Sequence, residues 1–316
     1  MIEEFGFVVL GLVILLLAGD VLVKGAVNLA LRLGIPALIV SLTVVAFGTS
    51  APELLISIQS ILDGVPGLAL GNVVGSNTAN ILLVLGVPAL MAGLAATSDT
   101  RREYTMMMAG SVLFIVLCFL GPLTWWHGAV LLAGLAFVLG DAVRKAHAHR
   151  KANNGTTELD ALEEADPDMP WWKIGVYLAL GLVGLPLGAS LLIDSATAIA
   201  TEYGISDAVI GLTLVAVGTS LPELATTVMA AIRRQADVAI GNVIGSNVFN
   251  LLAIIGIAVF VGPIPVDAEI LRFDLWVMLA ASAVLAPFVF FRWGMGRIVG
   301  LAFTALYVAY IVVLLA

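Results

Sequence analysis

Apolar stretches of about 20 residues, the length that crosses a bilayer as a helix, recur from one end of this chain to the other. We count ten, at 5–28, 36–61, 67–92, 104–121, 126–143, 172–200, 206–232, 237–261, 273–291 and 296–315. Only 11% of the 316 residues are charged, whereas soluble domains have roughly 25%. The sequence therefore predicts an all-α integral membrane protein with ten transmembrane helices.

The composition disfavours several classes of protein and partner. The N-terminal MIEEFGF has two glutamates where a secretory signal has Lys or Arg, so we expect the first helix to be retained. Cys118 is the single cysteine and lies in an apolar run, which predicts packing and no intrachain disulfide. No basic patch indicates nucleic acid, and the helices lack a Ser/His or metal-ligand constellation typical of an enzyme. We expect lipid and inorganic cations as partners and no cofactor, and the sequence indicates no oligomeric state.

An internal repeat organises the chain. Residues 43–86 align without a gap on 213–256 at a constant offset of 170, and 19 of the 44 positions are identical. The identities cluster in GTS-PEL and GNV-GSN, as expected of a shared site, since lipid-facing positions tolerate drift. We therefore predict two five-helix halves, 1–143 and 172–316, joined by a connector at 144–171.

Positive charges predict how the chain crosses the membrane, because short loops rich in Lys and Arg stay cytoplasmic. With ten spans, all but two of the 14 Lys and Arg residues fall on one side. Arg272 falls on the other side, and Lys24 lies within the first helix. Both termini are therefore predicted outside the cell and the connector in the cytoplasm.

The turns inside the two repeats carry different charges. The first, LDGVPG, has no positive charge and is predicted outside, whereas the second, IRRQAD, has two and is predicted inside. The halves are thus expected to be inverted-topology repeats, which place a substrate site near the membrane midplane and alternate its exposure between the two sides.

The connector, RKAHAHRKANNGTTELDALEEADPDMP, runs from basic to acidic. We interpret it as a solvated link whose basic end lies at the cytoplasmic face of the membrane. Calcium sensing by its acidic part is the alternative, although the segment is too short to be a folded regulatory domain.

Two carboxylates lie inside predicted spans, Glu53 in GTSAPE and Glu223 in GTSLPE. Burial near the bilayer centre costs roughly 2.5 to 3.5 kcal/mol for each, so such a carboxylate usually faces a cavity, a partner or an ion. The alternative is a protonated carboxyl group bonded to a neighbouring helix, and its recurrence at equivalent positions weakens that interpretation. We predict that both belong to an ion site.

Each carboxylate follows a predicted helix break. Pro52 removes the hydrogen bond to the carbonyl of Gly48, and Pro222 removes the bond to Gly218. Irregular backbone at this depth is tolerated only beside protein or a wet cavity. Four hydroxyl groups lie in the same turns, those of Thr49, Ser50, Thr219 and Ser220. Bonding of such hydroxyls to their own helix is the commoner case, but beside a break and a carboxylate we favour them as ligands.

The second helix of each repeat carries GNVVGSNTAN, 71–80, or GNVIGSNVFN, 241–250. The small-xxx-small glycines, Gly71, Gly75, Gly241 and Gly245, predict close helix packing. Ser76 and Asn80 share a helix face, as do Ser246 and Asn250, so their oxygens can complete a cage. The remaining amides, Asn72, Asn77, Asn242 and Asn247, either join that cage or tie the broken helices together.

The combined set offers only oxygen ligands, with no His or Cys nearby. Such a set suits hard cations, and Ca²⁺ takes 6 to 8 oxygens in adaptable geometry. Two negative charges balance one divalent ion or two monovalent ions. A site that accepts either kind of cation, but not both together, provides a physical basis for exchange.

At these residues the sequence resembles the sodium/calcium exchanger family of the cation/calcium antiporter superfamily. The resemblance is carried by GTSAPE with GNVVGSNTAN and by GTSLPE with GNVIGSNVFN, which look like the paired alpha repeats of that family. It implies a central Ca²⁺ site flanked by Na⁺ sites, with Ca²⁺ extrusion driven by Na⁺ influx.

The resemblance also implies roles for individual residues. Glu53 and Glu223 look like Ca²⁺ ligands, together with the carbonyls of Thr49 and Thr219. The Na⁺ ligands would be the same two carboxylates, the side chains of Ser50, Ser76, Ser220 and Ser246, and the carbonyls of Ala46 and Ala216. Asn80 and Asn250 look like the midplane polar pair.

Two positions narrow the branch of the family. Proton-coupled relatives tend to have glutamate at the fifth position of the GN motif, where this chain has Gly75 and Gly245. Potassium-dependent relatives tend to have aspartate at the position of Asn250. The large calcium-sensing domains of animal members have no counterpart in this sequence.

Three further charges lie within predicted helices 1 and 6: Asp20, Lys24 and Asp194. Lys24 and Asp194 are equivalent at the offset of 170. We expect snorkelling or a structural ion pair, and the alternative is a gating role, because these two helices look like the moving elements of the family.

The sequence as a whole predicts a secondary antiporter of a prokaryotic inner membrane that exports Ca²⁺ in exchange for Na⁺. Coupling to H⁺ or K⁺ is the alternative within the transporter class. A cation channel with the same oxygen-lined site is the alternative from another class.

Overall fold

The protein is described here by a computed structural model that covers residues 2–95, 100–152, 166, 168–203 and 216–315. Over these residues the fold is helical, and the β pairing consists of two isolated antiparallel bridges, Leu94 with Met295 and Leu123 with Ile264. The first half contains α1 (Ile2–Leu33), α2 (Ala37–Val40), α3 (Ala46–Thr49), α4 (Ala51–Leu62), α5 (Pro66–Ala79), α6 (Gly86–Met91), α7 (Arg101–Cys118) and α8 (Trp125–Ala152).

The second half contains α9 (Trp171–Glu202), α10 (Ala216–Gly218), α11 (Leu221–Ile232), α12 (Ala236–Val248), α13 (Ile255–Ala258), α14 (Leu275–Val284), α15 (Ala286–Phe290) and α16 (Arg297–Leu315). Wider π-helical turns join several of these helices into longer rods. They are Ser41–Val45, Asn80–Val84, Phe249–Ile254 and Ile270–Asp274.

Eight rods among the described residues are long and apolar enough to cross a membrane. They are Glu3–Leu33, Ala37–Leu62, Pro66–Met91, Trp125–His149, Trp171–Glu202, Ala236–Ala258, Ile270–Phe290 and Arg297–Leu314. Each overlaps one of the ten predicted spans, and together they define a multi-span, all-helical membrane fold.

The other two predicted spans differ from the eight in identifiable ways. Span 104–121 lies largely in α7, which has only 18 residues and begins with three charged ones, Arg101, Arg102 and Glu103. Span 206–232 falls partly on residues 204–215, which lie outside the described part of the chain, and α11 alone has 12 residues. The number ten therefore stays a prediction.

The end of the fifth predicted span differs from the end of the corresponding helix in the structure. The predicted fifth span ends at residue 143, but α8 continues to Ala152, so the start of the predicted connector is helical. This extension, RKAHAHRKA, is rich in Ala, Lys and Arg, which have high helix propensity.

The two halves meet around α12. All residues of the most apolar 18-residue segment of its rod, Ala236–Ala258, are buried, whereas 33% and 22% of the corresponding segments of the α1 and α9 rods are buried. The α1–α9 pair therefore lies at the periphery of the bundle. Close contact between these two helices depends on glycine, because a Cβ built on Gly11 or Gly188 would lie 2.9 or 3.0 Å from the other residue's carbonyl oxygen.

The glycines of the two GN motifs have different surroundings. A Cβ at Gly241 would lie 2.8 Å from the carbonyl oxygen of Leu38, and one at Gly245 would lie 2.4 Å from that of Leu42. The predicted close packing is thus confirmed for the second motif. At Gly71 and Gly75 a Cβ would meet no atom of the described residues within 4 Å, and the equivalents of Leu38 and Leu42 at the offset of 170 lie outside the described part of the chain.

The intramembrane charges of α1 are engaged in ion pairs. Lys24 Nζ lies 3.5 Å from Asp20 Oδ2 on the previous turn, and Asp20 also pairs with Arg233 at the end of α11. Asp194 Oδ2 accepts a hydrogen bond from the Ser190 hydroxyl at 3.1 Å. The structural ion pair expected for Lys24 is present, with Asp20 as its partner.

The close packing of Gly245 predicts that this position does not tolerate a methyl group. Gly245→Ala should destabilise the protein by about 1 to 3 kcal/mol, because its Cβ meets backbone that has no room to move. Gly140→Ala, at an exposed position of α8 where a Cβ would meet no described atom within 4 Å, should cost no stability, since alanine is the better helix former. Thermal unfolding of the two purified variants in detergent measures the difference, and equal midpoints would contradict this packing.

Candidate cation site

The two predicted carboxylates lie in the first turns of two helices that begin in the middle of the bundle. Glu53 is the third residue of α4 and Glu223 the third residue of α11, and both are 0% exposed. Each helix begins after a serine that leaves helical geometry, Ser50 at φ −84°, ψ 6° and Ser220 at φ −88°, ψ 4°. A carboxylate in the first turn also interacts favourably with the helix dipole.

Proline and glycine act on opposite sides of each break. Pro52 and Pro222 lie in the first turn of the new helix, where their missing N–H is tolerated. Gly48 and Gly218 lie in the helix before the break, and each faces a side chain of α9. A Cβ there would lie 2.1 Å from Leu182 Cδ2 or 2.3 Å from Ile193 Cδ1. The glycines therefore make room for α9, a role that the motif did not predict.

The structure brings hydroxyl groups from both halves to Glu223. The Ser50 hydroxyl donates to Glu223 Oε1 at 3.2 Å, and the Ser246 hydroxyl lies 3.5 Å from the same oxygen. Glu53 is close enough to Glu223 for their carboxylates to repel each other. Residues separated by 170 or more positions thus meet at one centre.

The threonine hydroxyls of the breaks are directed at amides of the opposite repeat. The Thr49 hydroxyl lies 3.4 Å from Asn242 Oδ1, and the Thr219 hydroxyl lies 3.5 Å from Asn72 Oδ1. These long contacts tie each break to the GN helix of the other half. The Thr49 hydroxyl also lies 3.3 Å from the carbonyl oxygen of Ala46.

The side-chain amides of Asn242 and Asn72 differ in the number of contacts that they make. Asn242 Nδ2 also lies 3.3 Å from the Thr227 hydroxyl and 3.5 Å from the carbonyl of Glu223. The corresponding nitrogen of Asn72 has no partner, and neither has the hydroxyl of Ser57, the equivalent of Thr227. The centre is therefore closed on the side of the second GN motif and looser on the side of the first.

The predicted midplane asparagines lie at the starts of two π-helical turns. Asn80 Nδ2 donates to Asn247 Oδ1 at 3.0 Å, which links the two GN helices. Both polar atoms of the Asn250 side chain are buried without a partner. The wider helix at these positions, a feature common at functional sites, was not predicted, because no hydrophobic periodicity marks it.

Most of the predicted side-chain oxygens of the site are buried without a hydrogen-bond partner. They are both carboxylate oxygens of Glu53, Oε2 of Glu223, the hydroxyls of Ser76 and Ser220, and the Oδ1 atoms of Asn80 and Asn250. Leaving a buried polar group unpaired costs about 1 to 3 kcal/mol, and more if it is charged. So many unpaired oxygens around two carboxylates fit a centre that a cation completes.

The backbone ligands implied by the resemblance lie beside this centre. Ala46, the first residue of α3, is fully buried, and its Cβ lies 2.6 Å from a Cβ built on Gly245, next to Ser246. Ala216 is the first residue of α10, two residues before Gly218. In the described ranges no group of three or more His, Cys, Asp or Glu residues could hold a metal ion, so two carboxylates and neutral oxygens are the available donors.

Fold and site together define a polytopic membrane protein with two buried carboxylates, a candidate cation centre, at two helix breaks. The family model described as sodium/calcium exchanger protein matches residues 4–140 and 173–316. The chain therefore belongs to the sodium/calcium exchanger family.

Individual relatives agree with this assignment over nearly the whole chain. The chain is 34% identical to the sodium/calcium exchanger MaX1 of Methanosarcina acetivorans over 98% of both proteins. It is 33% identical to the inner membrane protein YrbG of Escherichia coli, over 90% of this chain and 88% of that protein. The solved structure of the sodium-calcium exchanger NCX_Mj soaked with 2.5 mM Na⁺ and 0.1 mM Ca²⁺ superposes with a TM-score of 0.83 at 31% identity, over 99% of this chain and 98% of that one.

The unpaired carboxylates predict the effect of neutralising them. Glu53→Gln or Glu223→Gln should weaken Ca²⁺ binding about 10- to 100-fold, since an interaction with a charged group contributes roughly 1.5 to 3 kcal/mol and each 1.4 kcal/mol is a factor of ten in affinity. Equilibrium ⁴⁵Ca²⁺ binding to purified protein measures this change. Ser60→Ala, on α4 two turns beyond Glu53, is the matched control, and wild-type binding by either glutamine variant would remove that glutamate from the site.

Proposed function

We propose that this protein is a secondary antiporter that exports Ca²⁺ in exchange for Na⁺ by alternating access. The observation that carries the proposal is the pair of buried, largely unpaired carboxylates, Glu53 and Glu223, at facing helix breaks. Their two negative charges are balanced by one Ca²⁺ or by Na⁺ ions that occupy overlapping sets of oxygens. Competition between the two loads makes the transport an exchange.

The proposed ligand sets for Ca²⁺ and Na⁺ overlap but are not the same. Ca²⁺ is bound by the carboxylates of Glu53 and Glu223 and by the carbonyls of Thr49 and Thr219. Na⁺ is bound by the same carboxylates together with Ser50, Ser76, Ser220, Ser246 and the carbonyls of Ala46 and Ala216. Asn80 and Asn250 form the midplane polar pair between the repeats.

Alternating access is supported by the internal repeat, because residues 43–86 and 213–256 supply equivalent parts of one centre from the two halves of the chain.

The inverted-repeat arrangement has support from the pairing of loops. The two isolated bridges join Leu94 to Met295 and Leu123 to Ile264. Leu94 and Ile264 are equivalent at the offset of 170, so each bridge pairs corresponding ends of opposite halves. We propose ten spans in two inverted five-helix repeats, with both termini outside and the connector in the cytoplasm.

The α1–α9 pair is the proposed moving element. The pair is peripheral, and the two helices contact each other at glycines. Two side chains of α9, Leu182 and Ile193, lie against the glycines of the two helix breaks. The pair slides across the centre only when bound cations neutralise the two carboxylates, because covering uncompensated charges with apolar side chains has a high desolvation cost.

Sodium is favoured over protons as the coupling ion by the neutral oxygens of the site. A proton needs only a carboxylate, whereas Na⁺ needs several oxygens, and the unpaired hydroxyls of Ser76 and Ser220 supply them. The GN motifs also have Gly75 and Gly245 at the position that is acidic in proton-coupled relatives. Coupling to H⁺ or K⁺ and conduction through a channel are the alternatives that the test must separate.

Reconstituted transport separates these functions. Proteoliposomes loaded with Na⁺ should take up ⁴⁵Ca²⁺, those loaded with choline should not, and a pH gradient or added K⁺ should change neither result. Uptake driven by protons alone would replace Na⁺ as the coupling ion. Uptake into choline-loaded vesicles without any counter-ion would indicate a channel and overturn the proposal.

A further inference from the structure

We propose that Asp20 and its two positive partners form an ion-pair switch on α1. Asp20 pairs with Arg233 of α11 while α1 is docked on that helix, and Lys24 of α1 keeps it paired when α1 slides away. We call Asp20, Lys24 and Arg233 the α1 switch. The inference rests on the proposed exchange function, since it concerns the movement of α1 and α9, and it assigns to that movement residues that bind no transported ion.

The carboxylate of Asp20 lies deep in the apolar part of α1. About 20 Å of helix separate it from Leu33, the last residue of α1, and its side chain is only 18% exposed. A charge inside a membrane-spanning helix is costly unless it has a partner. Asp20 therefore needs a positive neighbour in every position that α1 adopts.

The two positive partners of Asp20 belong to different helices. The guanidinium of Arg233 donates to Oδ1 through Nε and also contacts it through Nη2, and such charge-assisted hydrogen bonds are the stronger kind. The ammonium group of Lys24 lies 3.5 Å from Oδ2, one turn further along α1. One partner is thus attached to α11, and the other travels with α1.

A close backbone contact accompanies the ion pair between α1 and α11. A Cβ built on Gly19, the neighbour of Asp20, would lie 3.0 Å from the carbonyl oxygen of Ala225. Ala225 follows Glu223 by two residues, and Arg233 is the C-cap residue of the same helix. The contact that docks α1 beside the central carboxylate therefore includes the ion pair, and a slide of α1 past Ala225 separates it.

An exchange of partners lowers the electrostatic cost of this separation. Removing one member of a partly buried ion pair is unfavourable, because the other charge is left without compensation. Lys24 compensates Asp20 during the slide, since the two residues are four apart on one helix face and move together. Arg233 ends α11 next to the exposed Arg234, so its long side chain extends to water once Asp20 has left.

Lys24→Gln tests the exchange of partners. The pair of Asp20 with Arg233 remains in this variant, so folding and equilibrium ⁴⁵Ca²⁺ binding should stay at wild-type values. Na⁺-driven ⁴⁵Ca²⁺ uptake at saturating Ca²⁺ should fall about tenfold, because Asp20 then moves without a partner. Asp20→Asn combined with Lys24→Gln removes the charge that needs a partner and should restore most of the rate.

This restoration separates the α1 switch from a purely structural role of Lys24, for which the double variant would be no faster than the single one. A wild-type rate in Lys24→Gln, or a double variant as slow as the single one, would overturn the inference.

Arg233→Gln tests the docked state. Loss of the pair should lower the population of the state in which α1 is docked on α11. In reconstituted vesicles of known sidedness, the KM for Ca²⁺ should therefore rise about two- to fivefold on one face and fall on the other. Arg234→Gln, the exposed neighbour, is the matched control and should change neither value. Wild-type KM values on both faces in Arg233→Gln would contradict the switch.

A reversible cross-link tests whether the contact opens during transport. Asp20→Cys and Arg233→Cys, joined by a short bifunctional methanethiosulfonate, should stop uptake, and dithiothreitol should restore it. The native Cys118 is buried, and each single cysteine variant is a control. Cross-linked protein that transports as fast as the reduced protein would overturn the switch. Wild-type vesicles without Na⁺-driven uptake would instead overturn the exchange function, before any variant is compared.

Discussion

The constraint on which the rest of this structure depends is the burial of two carboxylates, Glu53 and Glu223, without a basic partner among the described residues. Both are fully buried, and three of their four oxygens lack a hydrogen bond. Charges in such a place are strongly unfavourable alone. Two helix starts place the carboxylates and serines from both repeats approach Glu223, so the packing of the bundle presents a pair of carboxylates whose charge a bound cation would offset.

The sequence predicts the chemistry of this centre better than its shape. The glutamates, prolines and serines of the centre are identified from the sequence, because a charge or a proline inside an apolar span has few purely structural explanations. The widening of the helices at Asn80 and Phe249–Ile254 leaves no trace in hydrophobic periodicity. Gly48 lies against Leu182 and Gly218 lies against Ile193. Both partners are on α9, which is distant in the sequence from each glycine, and local sequence patterns do not specify such contacts. Span 104–121 is predicted to start after Arg101, Arg102 and Glu103, but these three charged residues form the first turn of α7.

The nature of the contact between the peripheral helices and the centre explains why bound ions and movement are coupled. At each break α9 contributes an aliphatic side chain, Leu182 or Ile193, and no ligand. Sliding α1 and α9 therefore breaks no bond to a bound ion. It does carry apolar surface across the carboxylates, which is tolerable for a neutral, occupied centre and costly for a bare dianion. In the proposed mechanism the selectivity of the movement for the loaded states comes from this desolvation cost, and not from a specific latch between ion and helix.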